Sequence, residues 1–327
     1  MQYKSNNGYT GLGQLGMLLL FLGLGLILAS ILQVFIGMQI VPKGTSLAAM
    51  GDAIIEEMKN PQNISVFRIL QIIGTLCALF IPALLYSVVC NGKSFFWLGF
   101  SRFVNVYQLV IGFLIIYGAN MVAIPLEDLS KKITLLIPSL DHLAQQLEST
   151  YNEQVIFLSQ IKNWPDLIMS LIILAFFPAM FEEIFFRGAM QNLLSKWWQN
   201  PFWAIVVTSL LFSFIHGSVY LFLSRFVLGF ALGLMYHKTK NIWVNIIAHF
   251  LNNAVAVFQM FYLARSHQKI SPDQLDTKIS PWLAIAGVGA LVILFYFLDK
   301  YSSKEKIKIQ QLEQSLTSTE LNSNPFS

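Results

Sequence analysis

Long apolar runs separated by short polar segments make up most of the chain. The runs are about 20 residues long, which is the length a helix needs to cross a hydrocarbon core roughly 30 Å thick. This pattern predicts an all-α fold, a polytopic transmembrane helical bundle with about eight spans. The predicted spans are residues 12–38, 66–90, 103–124, 167–188, 202–217, 220–236, 242–262 and 282–298.

Composition agrees with a membrane protein. Hydrophobic residues make up 55% of the chain and charged residues 12%, which excludes an ordinary soluble domain. The first apolar run is longer than the 7 to 15 residues typical of a cleaved signal peptide, so we expect a retained span. No basic stripe interleaved with aromatic residues occurs. The predicted surroundings are therefore a lipid bilayer, with no nucleic-acid partner.

Basic residues indicate the orientation. If both termini face the cytoplasm, that side carries ten lysines and arginines, concentrated in short segments, against only four acidic residues, as expected from the positive-inside rule. We therefore predict that the N- and C-termini are both cytoplasmic. The basic residues on that side are Lys4, Lys93, Arg102, Lys196, Lys238, Lys240, Lys300, Lys304, Lys306 and Lys308.

Two segments lie outside the pattern of spans. Residues 125–165 form a predicted external loop in which leucines recur at roughly helical spacing, indicating an amphipathic helix that either gates access or simply packs on the bundle. These leucines are Leu135, Leu136, Leu140, Leu143 and Leu147. The tail at 300–327 begins with lysines and becomes rich in Ser, Thr, Asn and Gln, so we expect a basic stub followed by disorder.

Five strongly polar residues interrupt the apolar runs. They are Glu182, Glu183, His216, His249 and Asn253. A charged or strongly polar side chain is costly inside a bilayer, so such residues usually mark a functional site. Because they are far apart in sequence, they can meet only if the helices form a bundle.

Helical spacing separates the two glutamates. Glu183 lies four residues before Arg187, which predicts an ion pair on one helix face. Glu182 is turned by about 100° and has no cation one turn later. We therefore expect Glu183 to be structural and Glu182 to act as a general base. Pro178, one turn before Glu182, is expected to disturb the helix.

The histidines complete a set of residues suited to hydrolysis. His249 and Asn253 are one turn apart and project together, whereas Asn252 is expected to point elsewhere. Counted along ideal helices from equal starting planes, His216 and His249 differ in depth by about 10 Å. The predicted site therefore requires tilt, unequal helix starts or a helix break.

Three motifs resemble those of the CAAX protease and bacteriocin-processing (CPBP, or Abi) family of intramembrane endopeptidases. The family motifs EExxxR, FxxxH and HxxxN/D correspond here to Glu182, Glu183 and Arg187, to Phe212 and His216, and to His249 and Asn253. The resemblance covers about residues 165–262, which we assign as the catalytic core. Residues 1–164 then supply N-terminal spans, and residues 263–327 supply the last span and the tail.

The resemblance implies hydrolysis of a peptide bond in a protein or peptide substrate. It assigns Glu182 as the base, His216 to the attacking water, and His249 with Asn253 to the oxyanion. Glu183, Arg187 and Phe212 support them. Zinc held by Glu182, His216 and His249 is the alternative to a reaction without a cofactor, although the chain has no HExxH motif. Bacterial members of the family imply a bacterial inner membrane, while the lipidation of the substrate and the oligomeric state stay open.

Two other classes of function fit the same residues. A non-catalytic scaffold or immunity protein could use the polar cluster to hold helices together. A proton-coupled transporter could use it as a relay. Transport is disfavoured because the chain shows no internal repeat and no pair of interrupted spans at matching positions.

Overall fold

A computed structural model describes residues 3–57, 60–158, 161, 163–265 and 279–323. It is 84% helical, and no strand occurs in those residues. The helices are α1 (Gly11–Gly37), α2 (Met50–Glu57), α3 (Ile64–Cys90), α4 (Val106–Leu135), α5 (Pro138–Leu158), α6 (Trp164–Trp198), α7 (Pro201–Ile215), α8 (Phe222–Thr239), α9 (Ile242–Arg265) and α10 (Pro281–Ser323).

The membrane bundle predicted from the sequence is confirmed. Within the described ranges, six helices are long and apolar enough to cross a membrane: α1, α3, α4, α6, α9 and α10. The predicted fifth and sixth spans correspond to α7 and α8, which fall outside this group. Helix α7 has 15 residues, so it rises only about 22 Å. Helix α8 carries Arg225, His237 and Lys238 among its apolar residues.

The first and last described segments of the chain lie at one end of the bundle. Asn6 Nδ2 donates to the carbonyl of Asn91 at 2.9 Å, and Asn105 Nδ2 donates to that of Tyr301 at 3.0 Å. We call this the terminal end; it contains residues 3–10, 91–105, 196–200, 239–241 and 299–323. The opposite, distal end contains residues 38–57, 60–63, 136–158 and 216–221.

Helix α6 runs through the centre of the core. Its residues Phe181, Phe185 and Phe186 are almost fully buried. At Gly188 a β-carbon would lie 2.6 Å from the carbonyl oxygen of Leu98, so only glycine allows this close approach. The helix is therefore held tightly against the 95–98 turn.

Two π-helical segments interrupt α6 on either side of the glutamates. They are Leu171–Phe176 and Ile184–Gln191. The amide of Phe177 donates to the carbonyl of Ile172, five residues back, immediately before Pro178. The disturbance predicted at Pro178 is thus a widened helical turn, and such turns are frequent at functional sites.

The helices around residue 125 do not follow the predicted limits of the span and the loop. Helix α4 does not end near residue 124 but continues to Leu135 through Pro125. The row of leucines from Leu135 to Leu147 is not one helix, because the chain turns before α5 begins at Pro138. A residue preceding proline is disfavoured in helical conformation, and proline is tolerated in the first helical turn, which explains the break.

The disorder predicted for the tail is contradicted for residues 300–323, and residues 324–327 lie outside the described part of the chain. Helix α10 continues to Ser323. Gln108 Nε2 donates to the hydroxyl of Ser302 at 3.0 Å, and Ile309 is 4% exposed. The tail is poor in apolar residues overall, but Ile309 and Ser302 are buried against the rest of the terminal end.

Candidate active site

The carboxylate of Glu182 lies between two imidazole rings. Its Oε2 atom is 3.9 Å from Nε2 of His216 and 3.9 Å from Nε2 of His249. The three side chains come from α6, the C-terminal end of α7, and α9, and they are 13%, 23% and 9% exposed. These separations are too long for direct hydrogen bonds. The structure therefore brings together an acid and two imidazoles from three distant segments.

The main chain and an aromatic ring orient His216. Its Nδ1 atom lies 2.6 Å from the carbonyl oxygen of Phe212, so Nδ1 donates and Nε2 is directed at Glu182. The Phe212 and His216 rings are 4.7 Å apart, and the guanidinium carbon of Arg187 is 4.7 Å from the centre of the Phe212 ring. Phe212 thus packs between the cation and the imidazole.

Glu183 orients His249. Its Oε1 atom accepts from Nδ1 of His249 at 3.0 Å and from Nη1 of Arg187 at 2.7 Å. The carboxylate is fully buried, and Arg187 also donates to the carbonyl of Gly229 at 3.0 Å. The ion pair predicted from the i, i+4 spacing is present, and it holds the second ring with Nε2 towards Glu182.

Asn245 was not among the predicted site residues. Its Nδ2 atom donates to Oε2 of Glu183 at 3.0 Å and to the carbonyl of Leu232 at 2.8 Å. Asn245, His249 and Asn253 follow one another at intervals of four residues along α9. This spacing could have indicated Asn245 as a site residue, because it places all three side chains on one face of the helix.

A cavity of about 380 Å³ adjoins these residues. Its polar lining consists of Gln71, Glu182, His216, Arg225, His249, Asn252 and Asn253. The expectation that Asn252 points elsewhere was wrong. Asn252 donates to Oδ1 of Asn253 at 3.4 Å and accepts from Nδ2 of Asn120 at 2.6 Å. A rotation of about 100° along α9 still leaves its amide on a cavity that is bounded by several helices.

The cavity extends from the middle of the bundle towards the distal end. Gln71 lies near the start of α3, Leu174 in the first half of α6, and Met260 near the end of α9, and all three line it. Arg225, at the start of α8, was also missed by the sequence analysis. Its Nη1 atom donates to the carbonyl of His216 at 3.3 Å.

The depth difference expected from ideal helices does not keep the two histidines apart, because each Nε2 atom lies 3.9 Å from the same Glu182 oxygen. Asn241, just before α9, is fully buried, and its Nδ2 atom donates to the carbonyls of Ser101 and Phe103, each at 3.0 Å. Asn200, just before α7, is exposed. Helix α9 thus begins packed against the 95–103 segment, whereas α7 begins at an exposed position, and both histidines nevertheless reach Glu182.

Part of the chain that forms this site is similar to known proteins. Residues 164–255 match the family model described as type II CAAX prenyl endopeptidase Rce1-like. This segment is similar to the Rce1-like family. The resemblance to the CPBP family is thereby confirmed, and the Rce1-like segment contains Glu182, His216, His249 and Asn253.

Two curated relatives, both from Bacillus subtilis (strain 168), match part of the chain. YdiL, named provisionally as a membrane peptidase, is 27% identical over 108 residues, which are 33% of this chain and 44% of YdiL. YpbD, an uncharacterized protein, is 30% identical over 122 residues, which cover 33% of this chain and 60% of YpbD. The chain thus spans about half the length of these relatives. No solved structure matches the chain significantly.

The side chains of the Rce1-like segment can be compared with the ligands that zinc prefers. Glu182, His216 and His249 offer one carboxylate and two nitrogens, all zinc ligands by type. Both histidines have Nδ1 engaged by an oxygen acceptor, as zinc-bound histidines usually do. In the described ranges, however, no group of three His, Cys, Asp or Glu side chains is arranged to hold a metal ion. The donor types fit zinc, but their present spacing does not form a site.

Proposed function

We propose that the chain is an intramembrane endopeptidase that hydrolyses a peptide bond of a protein or peptide substrate. The observation that carries the proposal is the position of the Glu182 carboxylate between two imidazole Nε2 atoms at the inner part of a cavity. A carboxylate that borders such a cavity can take a proton from a water molecule, and the water can then attack the carbonyl carbon of a bound peptide.

The proposed reaction begins with a water molecule near Glu182 and His216. The water oxygen attacks the carbonyl carbon of the scissile bond while Glu182 accepts one of the water protons, and Nε2 of His216 orients the water. Nδ2 of Asn253 donates a hydrogen bond to the resulting oxyanion. In its imidazolium form, in which both ring nitrogens carry protons, His249 donates from Nδ1 to Glu183 and from Nε2 to the oxyanion. The carbon–nitrogen bond then breaks, and Glu182 returns the proton to the leaving amine.

Surrounding residues would keep this geometry fixed. The Glu183–Arg187 pair and Asn245 hold His249, while Phe212 positions His216 through its carbonyl and its ring. Because these contacts are made before any substrate binds, the reacting groups need little reorganisation. The cavity's extension to the distal end favours a substrate that enters from that side, next to α5.

Comparison of membrane-protein termini in cells tests the proposal. Cells producing wild-type protein should contain new peptide termini that are absent with Glu182→Gln, because the amide cannot accept a proton from water. Glu127→Gln is the matched control, since Glu127 pairs with Lys131 away from the cavity. Identical termini for wild type and Glu182→Gln, at equal protein levels, would contradict the proposal.

The same experiment separates the proposed peptidase from a scaffold or immunity protein and from a transporter. A scaffold role predicts a cellular phenotype that follows protein abundance, with no change in termini. A transporter predicts proton-linked flux in vesicles containing the purified protein.

Elemental analysis of the purified protein tests whether zinc is a cofactor. One equivalent of zinc that is lost in His249→Ala would support the metal form, which would use Glu182, His216 and His249 as ligands.

A further inference from the structure

A second cavity lies at the terminal end, away from the candidate active site. Its volume is about 260 Å³, and it is enclosed by the 96–99 turn, the last turns of α6 and α8, and the extension of α10. The polar and aromatic residues that line it include Trp97, Asn192, Lys196, Tyr236, Lys240 and Glu313.

Positive charge in this cavity exceeds negative charge. Glu313 is the only acid among its lining residues in the described part of the chain, and it pairs with Lys196 at 2.6 Å. Lys240, largely buried, makes no side-chain hydrogen bond or ion pair with any residue that the structure describes. Its burial, together with the charges of Lys306 and Lys196, lowers the pKa of Lys240 to about 8. An ammonium group with this shift is stabilised by an anion.

The backbone fixes the position of Lys240. It adopts a left-handed conformation with φ of +54°, in the turn that joins α8 to the buried Asn241. This turn ends α8 and places Lys240 at the wall of the cavity. Lys196 is held as well, with Nζ 5.5 Å from the centre of the Trp97 ring.

Neutral donors complete the lining. Asn192 Nδ2 donates to the hydroxyl oxygen of Tyr236 at 2.6 Å, which leaves the tyrosine proton available to an acceptor in the cavity. Two ammonium groups and a hydroxyl are donors suited to the several oxygens of a phosphate group. A cation or an apolar ligand would not satisfy them.

The cavity lies at the level expected for lipid headgroups. Tryptophans gather at the terminal end, as is typical of the membrane interface. They are Trp97, Trp197, Trp198, Trp203 and Trp243. Basic pockets between transmembrane helices at this level bind anionic headgroups. We propose that this cavity binds a phosphate-bearing anion through Lys240, Lys196 and Tyr236, and that the bound anion fastens the α10 extension to the ends of α6 and α8.

The chemistry admits two sources of phosphate, an anionic phospholipid and free phosphate. The test uses the purified full-length protein in a mild detergent and measures its thermal unfolding and its mass in native mass spectrometry. One arm adds phosphatidylglycerol, a second adds zwitterionic phosphatidylcholine at the same concentration, and a third adds inorganic phosphate without lipid.

The variants isolate the charge of Lys240. Lys240→Met removes the charge and keeps the length of the side chain, whereas Lys240→Arg keeps a positive charge. Lys304→Ala is the matched control, because it removes an exposed lysine from the same helix extension. Unfolding of each variant is first measured without any ligand, so that a folding defect is recognised separately from a loss of binding.

We expect phosphatidylglycerol to raise the unfolding temperature of the wild type, Lys240→Arg and Lys304→Ala, and to remain bound as one retained lipid. We expect Lys240→Met to fold and to lose both effects. Stabilisation by inorganic phosphate alone, also lost in Lys240→Met, would identify soluble phosphate as the source. Equal responses of Lys240→Met and Lys304→Ala in every arm would overturn the proposal, as would stabilisation by phosphatidylcholine to the same extent.

Discussion

Nδ1 of His249 lies 3.0 Å from Oε1 of Glu183, the residue that directly follows Glu182. Two adjacent glutamates on α6 therefore act on opposite sides of one imidazole: Glu183 holds Nδ1, and Glu182 faces Nε2 at 3.9 Å. The rotation of about 100° between neighbouring helical residues makes this division possible. It explains why a pair of acids, rather than one, stands at this position.

The buried ion pair should matter for folding. Arg187→Met leaves the fully buried Glu183 without its cation, and removing one partner of a buried pair typically lowers the free energy of unfolding by about 3–5 kcal/mol. Lys131→Met, which removes the cation of the partly exposed Glu127 pair, should change it by no more than about 1 kcal/mol. Unfolding of the purified variants in detergent measures both. Similar losses for the two variants would contradict this role of Arg187.

Substitution of the two neighbouring cavity asparagines should lower kcat to different extents, as measured with a cleaved substrate. Asn253→Ala should lower kcat by about 10²–10³ with little change in KM, the effect expected when one oxyanion donor is removed. Asn252 is bonded to Asn120 and touches Asn253 only at 3.4 Å. Asn252→Ala should therefore lower kcat by less than about tenfold. Equal losses in both variants would assign the oxyanion contact differently.

The orientation in the membrane is open to a labelling test. Single cysteines placed at Ser139 on α5 and at Ser303 on α10 occupy exposed positions at the distal and terminal ends. The native Cys77 and Cys90 are buried and would be replaced by alanine. In intact cells, a membrane-impermeant maleimide should label Ser139→Cys at once but Ser303→Cys only after permeabilisation. The reverse result would place both termini outside the cytoplasm.

Anion binding in the terminal-end cavity should depend on pH. The pKa of Lys240 is about 8 in the free protein, and a bound anion favours its ammonium form, so affinity should be constant below that pH and weaken above it. The limiting slope is about tenfold per pH unit. Phosphatidylglycerol is the suitable ligand, because its phosphodiester does not titrate in this range. Lipid retention measured between pH 7 and pH 10 gives the profile.

Lys240→Arg provides the control, because a guanidinium stays charged throughout this range. Its profile should be flat above pH 8. Several other charged or titratable groups face Lys240: Lys196 from α6, Tyr236 and His237 from α8, and Lys306 with Glu313 from α10. A decline that persists in Lys240→Arg would assign the pH dependence to one of these groups.

The sequence by itself determined the membrane bundle and the residues of the candidate site. Apolar runs of span length leave few alternatives to helices, since backbone groups inside a bilayer must bond within their own segment. Glu182, His216, His249 and Asn253 were recognisable because polar residues are rare in such runs. The Glu183–Arg187 pair followed from helical spacing alone.

The tertiary structure decided what depends on neighbouring segments. The course of α10 to Ser323 depends on a docking surface that local composition does not reveal. His216 and His249 meet at the same Glu182 oxygen, and the cavity brings in Arg225 and Asn252. Helix periodicity describes one helix at a time, whereas depth, burial and charge balance depend on how helices pack. The unpaired charge of Lys240 is therefore visible only in the assembled bundle.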